Sequence, residues 1–285
     1  MNSLRTVIFI DGQNFKYNLG AFRFSGQGSL ASSRPYILDE KHFFWRKFFL
    51  GIVEKFNQST GWDHRLVRVY WYNAERIRPF EVNEPAIAKL LIDYSHLPGL
   101  ARDTLIKLAK DWYDDERRYF EQTRDKVFEG IQRKERFLEF RYVGEYVLKP
   151  FEPYKLEQDP QGNLHYQGTR EGEKGVDVGI AVDMISKIVD YDVAILVSGD
   201  ADFLPAVRFI KDRMRQVYQF SLAQGIPPAI KYLSPWLIGC VDEFQFYNEL
   251  ELLEKYLDRK THIPPAVLAS IDDRINNLKA STVSP

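Results

Sequence analysis

Short runs of uninterrupted apolar residues are the feature that most constrains the fold of this chain. A strand that is buried on both faces has such a run, whereas a half-exposed strand alternates apolar and polar residues. VIFI at 7–10 and VAILV at 193–197 are such runs, and three mainly apolar segments also read as strands: LVRVYWY at 66–72, QVYQFSL at 216–222 and FQFY at 244–247. Segments with helical spacing lie between them, at 41–57, 176–189, 203–212 and 228–238. Strands that alternate with helices predict an α/β fold of three layers, with a mainly parallel central sheet covered by helices.

The remaining segments are turns, loops, helices and extended stretches outside this alternating pattern. A polar turn (DGQN) follows the first strand, and a Gly/Ser-rich loop is predicted at 20–36. Residues 84–136 have a charged helical pattern, and 137–148 reads as extended. Pro and Gly at 149–173 indicate a long loop or a hairpin. After residue 249 we expect two weak helical segments, split by the Pro264-Pro265 pair.

Charge is balanced in the chain as a whole and in its most charged segment. The net charge is −1, so no global basic field indicates nucleic-acid binding, and any such contact requires a local patch. Residues 101–136 carry ten Lys or Arg and nine Asp or Glu. This mixture is typical of solvated helices that carry ion pairs between residues four apart.

The single cysteine, Cys240, excludes a disulfide within the chain and a cysteine-rich zinc site. No apolar stretch approaches the roughly 18–20 residues of a membrane span, and the first residues lead directly into a strand rather than a signal peptide. We therefore expect a cytoplasmic protein with no membrane partner.

Three aspartates are predicted to meet at one edge of the sheet. Asp11 follows the first strand directly, and Asp200 follows the VAILV strand. Carboxyl ends of parallel strands share an edge, where ligands bind in such sheets. Asp177 opens the helix that runs antiparallel into the VAILV strand, so it begins at that same edge. Asp202 lies beside Asp200.

Carboxylates that lie close together raise each other's pKa unless a cation intervenes. Oxygen-only ligands suit Mg²⁺, Mn²⁺ or Ca²⁺, which polarise phosphodiesters and activate water. Each residue also has an ordinary interpretation. Asp11-Gly12 can form a turn, Asp177 can interact with the helix dipole, and Asp202 can cap the helix at 203. The shared edge favours a site.

Neighbouring polar residues have two interpretations each, which the sequence leaves open. Lys174 contacts substrate phosphate or neutralises the acidic cluster. Asn14 positions a water or phosphate, or closes its own turn. Ser198 orients Asp200 or ends its strand. Asp183 points to another side of the helix from Asp177 and is interpreted as structural or supporting.

Three motifs, IDGQN at 10–14, KGVDVGIAVD at 174–183 and SGDADF at 198–203, resemble those of the NYN domain family of PIN-like nucleases. LSPWLIGCVDEFQFY at 233–247 is similar to the end of that domain, and the resemblance covers about 5–75 and 138–248. It implies a nuclease domain over 1–248. The charged helical segment at about 76–136 departs from the family pattern and is interpreted as an insertion, and the helical tail at 249–285 lies outside the match.

The resemblance also implies a metal-dependent ribonuclease with Mg²⁺ or Mn²⁺ as cofactor. The implied catalytic and metal-binding residues are Asp11, Asp177, Asp200 and Asp202, and the implied substrate-binding residues are Asn14, Lys174 and Ser198. The substrate is expected to be single-stranded RNA or a structured loop, because a recessed site requires a splayed strand. Further candidate RNA contacts are Lys16, Arg23, Arg170, Phe15, Tyr17 and Phe24.

Two other functions are consistent with the same fold. The first is a binding module without activity that recruits RNA or protein through the helical insertion. The second is a Mg²⁺-dependent phosphatase, which requires Asp-X-Asp after the first strand, where this chain has Asp-Gly-Gln. A homodimer through the insertion or tail is possible. No P-loop, GxGxxG or GxSxG motif is present.

Overall fold

The computed structural model describes residues 3–25, 35–261 and 263–283, and it divides into two compact units. The larger unit consists of Met1–Asn73, Ile131–Arg141 and Asp177–Pro285. The smaller unit consists of Ala74–Gly130 and Tyr142–Val176.

Strands and helices alternate along the chain. The strands are β1 (Leu4–Asp11), β2 (Arg23–Phe24), β3 (Tyr36–Ile37), β4 (His64–Asn73), β5 (Arg76–Ile77), β6 (Leu138–Tyr142), β7 (Glu145–Gln158), β8 (Leu164–Lys174), β9 (Val193–Val197), β10 (Gln216–Ala223) and β11 (Glu243–Asn248). The helices are α1 (Gly12–Leu19), α2 (Trp45–Thr60), α3 (Glu84–Asp93), α4 (Arg102–Gln122), α5 (Glu129–Lys134), α6 (Val176–Ser186), α7 (Leu204–Asp212), α8 (Pro235–Ile238), α9 (Glu249–Glu251) and α10 (Pro265–Val283). Short 3-10 turns occupy Glu40–His42 and Ala201–Phe203, and π-helical segments occupy Thr123–Phe128 and Leu252–Tyr256.

A six-stranded sheet in the order β11-β10-β9-β1-β4-β6 forms the centre of the larger unit. Its pairs β1–β4, β1–β9, β9–β10 and β10–β11 are all parallel. Every residue of β9 is buried, as the uninterrupted apolar run predicts. Helices α1, α2 and α7 pack against the strands. The predicted α/β class with a mainly parallel sheet flanked by helices is confirmed.

The polar turn predicted at 11–14 is wrong, because α1 begins directly at Gly12. The Asp11 carboxylate caps this helix by accepting a hydrogen bond from the backbone N–H of Asn14. Phe15 and Leu19 are one turn apart on the helix and are both buried, so packing stabilises a segment whose first residues are polar.

Other segments differ less from the prediction. The helix expected at 228–238 contracts to α8. Of the two alternatives for 149–173, the structure has the hairpin, which β7 and β8 form. The loop predicted at 20–36 lies partly outside the described residues, although β2 within it pairs antiparallel with β3 at its end. In the tail, α10 begins at Pro265, as expected from the proline pair.

The tail packs on the rest of the larger unit through contacts of α10 with β2, and an ion pair joins α10 to α9 within the tail. Ile271, Ile275 and Leu278 on α10 are buried. Arg274 donates hydrogen bonds of 2.8 and 2.7 Å to the two carboxylate oxygens of Glu249, which is itself buried.

In the smaller unit, helices pack on a three-stranded sheet formed by β5, β7 and β8. Strands β7 and β8 are antiparallel, and α3 and α4 contribute Ile87, Leu105 and Ala109 to a cluster with Phe151 and Leu156. The charged face of α4 is exposed and carries ion pairs between residues four apart, as predicted. Within the described ranges, no helix is long and apolar enough to cross a membrane.

Candidate acidic site at the carboxyl edge of the sheet

The sheet register brings the ends of β1 and β9 to the same edge. Ile10 pairs with Val197, so Asp11 and Ser198, which follow them, are neighbours. Asp200 comes two residues later, directly before the 3-10 turn that contains Asp202. We call Asp11, Asp177, Asp200 and Asp202 the acidic edge.

Asp11 is the most buried of the four, with 5% of its surface exposed. Its Oδ1 accepts a 2.9 Å hydrogen bond from the backbone N–H of Asn14. Its Oδ2 accepts a 2.9 Å hydrogen bond from the Ser198 hydroxyl. Both carboxylate oxygens are therefore held in place by groups from two different elements.

The loop after β9 is organised by its own side chains. The Ser198 hydroxyl accepts a hydrogen bond of 3.2 Å from the backbone N–H of Asp200, so this serine orients both Asp11 and Asp200. Asp200 in turn accepts a 3.0 Å hydrogen bond from the backbone N–H of Asp202. The capping role considered for Asp202 therefore belongs to Asp200, and α7 begins without a side-chain cap. Asp202 is left exposed to solvent.

Asn14 connects α1 to the same loop. Its side-chain Oδ1 lies 3.3 Å from the backbone N–H of Gly199, which donates to it, and it also accepts a hydrogen bond from Asn18. The amide therefore joins two elements of the edge rather than closing its own turn.

The carboxylates are close enough to perturb each other. Burial is the largest effect and raises the pKa of Asp11 to about 6, helped by the charges of Asp177 and Asp200. The hydrogen bonds from Asn14 and Ser198 oppose this rise. Burial also raises the pKa of Asp177, with further contributions from Asp200 and Asp202. Asp177 and Asp200 are thus close enough to act electrostatically on Asp11, and Asp200 and Asp202 on Asp177.

Gln219 is a buried residue of this region that sequence reasoning missed. It lies on β10, paired with Leu196, and its Nε2 donates a 2.7 Å hydrogen bond to the backbone carbonyl of Ser198. The residue is fully buried, and its Oε1 has no hydrogen-bond partner in the described part of the chain. The available signal was a glutamine between the apolar residues Tyr218 and Phe220 of a strand that is otherwise buried almost throughout.

Only glycine fits at position 199, because another backbone segment approaches it closely. A Cβ at this position would lie 1.5 Å from the carbonyl oxygen of Tyr232. The carbonyl of Gly199 also accepts a 2.9 Å hydrogen bond from the backbone N–H of Ser234. The loop between β10 and α8 is therefore fixed against the residue that precedes Asp200.

Two of the candidates have other partners. Asp183 accepts hydrogen bonds from the Tyr72 hydroxyl at 2.7 Å and from Lys187 at 2.9 Å. Burial raises its pKa, but these hydrogen bonds outweigh burial and the net pKa is lowered, as expected for a structural ion pair. Lys174 belongs to the smaller unit, where its ammonium lies 3.2 Å from Glu171.

The other candidate RNA contacts differ in how far they are buried and in whether they form an ion pair within the protein. Phe15 and Phe24 belong to the core, whereas Tyr17 is half exposed. Lys16 and Arg23 are exposed on the larger unit. Arg170, in the smaller unit, forms a bidentate pair with Glu116.

The donor chemistry of the acidic edge fits a hard divalent cation. All its side-chain donors are carboxylate oxygens, and their mutual repulsion is what a bound cation would relieve. Within residues 3–25, 35–261 and 263–283, no group of three or more His, Cys, Asp or Glu side chains is arranged to hold a metal ion. Mg²⁺ commonly takes only one or two carboxylates and keeps several waters, so it does not require such a group.

Comparison with known proteins identifies one family and two similar proteins. The family model of the NYN domain matches residues 88–234, just over half of the chain. This range includes Asp177, Asp200 and Asp202, and begins after Asp11.

An uncharacterized protein of Methanocaldococcus jannaschii is 35% identical over 82 residues, which cover 28% of this chain and 33% of that protein. The match thus spans about a third of the length of that curated relative. The crystal structure of a protein of unknown function from Vibrio parahaemolyticus aligns with 87% of this chain and 98% of its own, at 18% identity and a TM-score of 0.40.

Proposed function

The chain belongs to the NYN domain family, a family of PIN-like nucleases, and from that premise we propose that it is a metal-dependent ribonuclease. The proposed reaction is hydrolysis of RNA phosphodiester bonds at the acidic edge, with Mg²⁺ or Mn²⁺ as cofactor. The proposed substrate is single-stranded RNA or a structured loop.

The observation that carries the proposal is the state of Asp11. This carboxylate is buried, accepts a hydrogen bond on each oxygen and lies near the negative charges of Asp177 and Asp200, and its pKa rises to about 6. Because the folded state disfavours the charged form, the ionised carboxylate lowers the stability of the fold at neutral pH. Such an arrangement is typical of functional sites, where perturbed pKa values cluster. A bound divalent cation would offset the repulsion among Asp11, Asp177 and Asp200.

The proposed metal-binding residues are Asp11, Asp177, Asp200 and Asp202. When bound, Mg²⁺ or Mn²⁺ would polarise the phosphodiester and stabilise charge on the leaving oxygen. The chain's own contribution is orientation, because the Ser198 hydroxyl holds Asp11 and Asp200 in a fixed relation.

Asp202 is the residue to which we assign proton transfer. It is exposed, and its carboxylate accepts no hydrogen bond from the described residues, so it is open to a water molecule. In the proposed reaction the water oxygen bonds to phosphorus and the water proton passes to Asp202. The phosphorus–oxygen ester bond breaks, and the leaving oxygen keeps the bonding electron pair and takes up a proton from solvent water.

The three residues proposed to act on the substrate have different roles. Asn14 and Ser198 act by fixing Gly199 and Asp11, as their hydrogen bonds indicate. Lys174 is proposed as a phosphate contact because it is half exposed and lies three residues before Asp177 in the sequence. Because the lone Cys240 allows no disulfide within the chain, we place the activity in the cytoplasm.

The test is RNA hydrolysis by the wild-type protein and Asp200→Asn, with Mg²⁺, Mn²⁺ or EDTA. Asparagine can still accept the capping hydrogen bond from Asp202, so the fold should be retained. We expect hydrolysis only with metal, and a loss of roughly a hundredfold or more in the variant.

Asp192→Asn is the matched control, because Asp192 directly precedes β9 and therefore lies at the opposite end of the same strand. It should keep wild-type hydrolysis per folded molecule. Equal hydrolysis by Asp200→Asn would contradict the assigned site. A folded wild-type protein that hydrolyses none of a varied set of RNAs would instead favour the binding module.

A further inference from the structure

Two exposed tyrosine rings lie next to each other on elements that are both tied to Gly199. Tyr17 on α1 is 51% exposed, and Tyr232 in the loop before α8 is 59% exposed. Their ring centroids are 6.0 Å apart, with the planes tilted by 41°. We call this pair the tyrosine shelf.

The shelf is fixed next to the acidic edge by contacts on both sides. From α1, the Asn14 side chain accepts a hydrogen bond from the backbone N–H of Gly199. From the loop, the backbone carbonyl of Tyr232 packs so closely on Gly199 that no Cβ fits there. Since Asp200 is the next residue, the two elements that carry the rings both contact the residue that precedes a carboxylate of the edge.

The backbone at Tyr232 is also unusual. Its φ is 53°, in the left-handed region that residues other than glycine rarely adopt. Such strain persists only where the surroundings hold it, and it concentrates at ligand-binding positions. The ring of this strained residue is exposed to solvent and is not part of the core.

A positive charge next to the tyrosine shelf suits the phosphates of an RNA strand. Lys231, the residue before Tyr232, is exposed and forms no ion pair or hydrogen bond with any residue that the structure describes. Trp236 adds a further ring, 78% exposed, on α8, which packs against the 3-10 turn containing Asp202. Aromatic faces with a nearby cation are the recurring elements of single-strand recognition.

We propose that the tyrosine shelf stacks an unpaired base of the RNA strand, next to the phosphate presented to the acidic edge. This inference rests on the proposed function and specifies its substrate as single-stranded at that position. Bases within a duplex have both faces covered by neighbouring pairs, so they offer no face to the rings. Stacking also supplies affinity that does not depend on the phosphates, which the acidic edge repels.

The test is binding of a fluorescein-labelled single-stranded oligoribonucleotide, followed by fluorescence anisotropy in the Asp200→Asn background to prevent turnover. Tyr17→Ala and Tyr232→Ala should each weaken binding roughly tenfold, whereas Tyr→Phe at either position should retain it. The same sequence annealed to its complement should bind more weakly and be insensitive to both alanine changes. Should Tyr232→Ala not fold, Tyr17→Ala carries the test alone.

Trp62→Ala is the matched control. Trp62 is 50% exposed, on the same unit, and precedes β4 at the amino end of the sheet, away from the acidic edge. It should leave binding unchanged. Unchanged binding in both tyrosine-to-alanine variants, or an equal loss in Trp62→Ala, overturns the shelf.

Failure of the shelf and failure of the nuclease are distinguishable. A protein that hydrolyses RNA but binds the single strand equally with and without the rings overturns the shelf and leaves the function standing. A protein whose binding falls as stated but that hydrolyses no RNA supports the shelf and overturns the function.

Discussion

Replacing Asp11 with asparagine should make the metal-free protein more stable at neutral pH. The pKa of Asp11 rises from 3.8 to about 6 on folding, so between these values the folded state keeps a proton that the unfolded state has released. The associated stability is therefore fully present below about pH 4 and is lost as the pH rises through about 6.

The expected size follows from the shift and the contacts. A rise of slightly more than two pH units, at about 1.4 kcal/mol per unit, corresponds to about 3 kcal/mol at neutral pH. Asparagine avoids this cost and still caps α1 through Asn14. The Ser198 hydroxyl must reorient when its acceptor becomes an amide nitrogen, at a cost of about 1 kcal/mol. Asp11→Asn should therefore be about 2 kcal/mol more stable at neutral pH, and no more stable than wild type at about pH 4.

The assay is urea unfolding in EDTA at several pH values from about 4 to about 7, comparing the free energy of unfolding of the two proteins. Asp192→Asn is a control for which the expected change in the free energy of unfolding has the opposite sign. The hydrogen bond from Arg5 lowers the pKa of Asp192, so its stability contribution is present above the unfolded pKa and lost as the pH falls. That variant should be less stable than wild type at neutral pH. If Asp11→Asn is destabilised at neutral pH as much as at acid pH, the argument for a repelled carboxylate is refuted.

Three further results are expected. Gly199→Ala should lower the free energy of unfolding by about 2 kcal/mol or more, because its Cβ would overlap the Tyr232 carbonyl; an unchanged thermal midpoint would contradict this contact. Gln219→Leu should cost about 1–2 kcal/mol in urea unfolding by leaving the buried Ser198 carbonyl without its donor, and a neutral result would count against that role. Mn²⁺ should raise the thermal midpoint of wild type more than that of Asp11→Asn, and equal shifts would argue against binding at the acidic edge.

The sheet was predictable because continuous apolar runs have few other interpretations. The same rule located Asp11 and Asp200 at one edge, since parallel strands share their carboxyl ends. Helix α1 was not predictable from its polar start, because its stability comes from burying Phe15 and Leu19 against distant elements.

Details of the site depended on contacts that a linear sequence does not contain. The carbonyl that Gln219 holds is 21 residues away in the chain. The sequence suggested that Asp202 caps the helix at 203. In the structure Asp200 is the capping residue, because a 3-10 turn precedes α7. For Asp183, the spacing on α6 indicated a different direction from Asp177, but only the structure supplies its partners, Tyr72 and Lys187.

The most direct test of the acidic edge compares two aspartates of the same helix under single-turnover conditions with Mn²⁺ and single-stranded RNA. Asp177→Asn should lower the rate constant of hydrolysis by roughly a hundredfold or more. Asp183→Asn should lower stability, through loss of its ion pair with Lys187, while the rate per folded molecule stays within a few-fold of wild type. Wild-type hydrolysis by Asp177→Asn, or an equal loss in both variants, would contradict the assignment of the acidic edge as the site of hydrolysis.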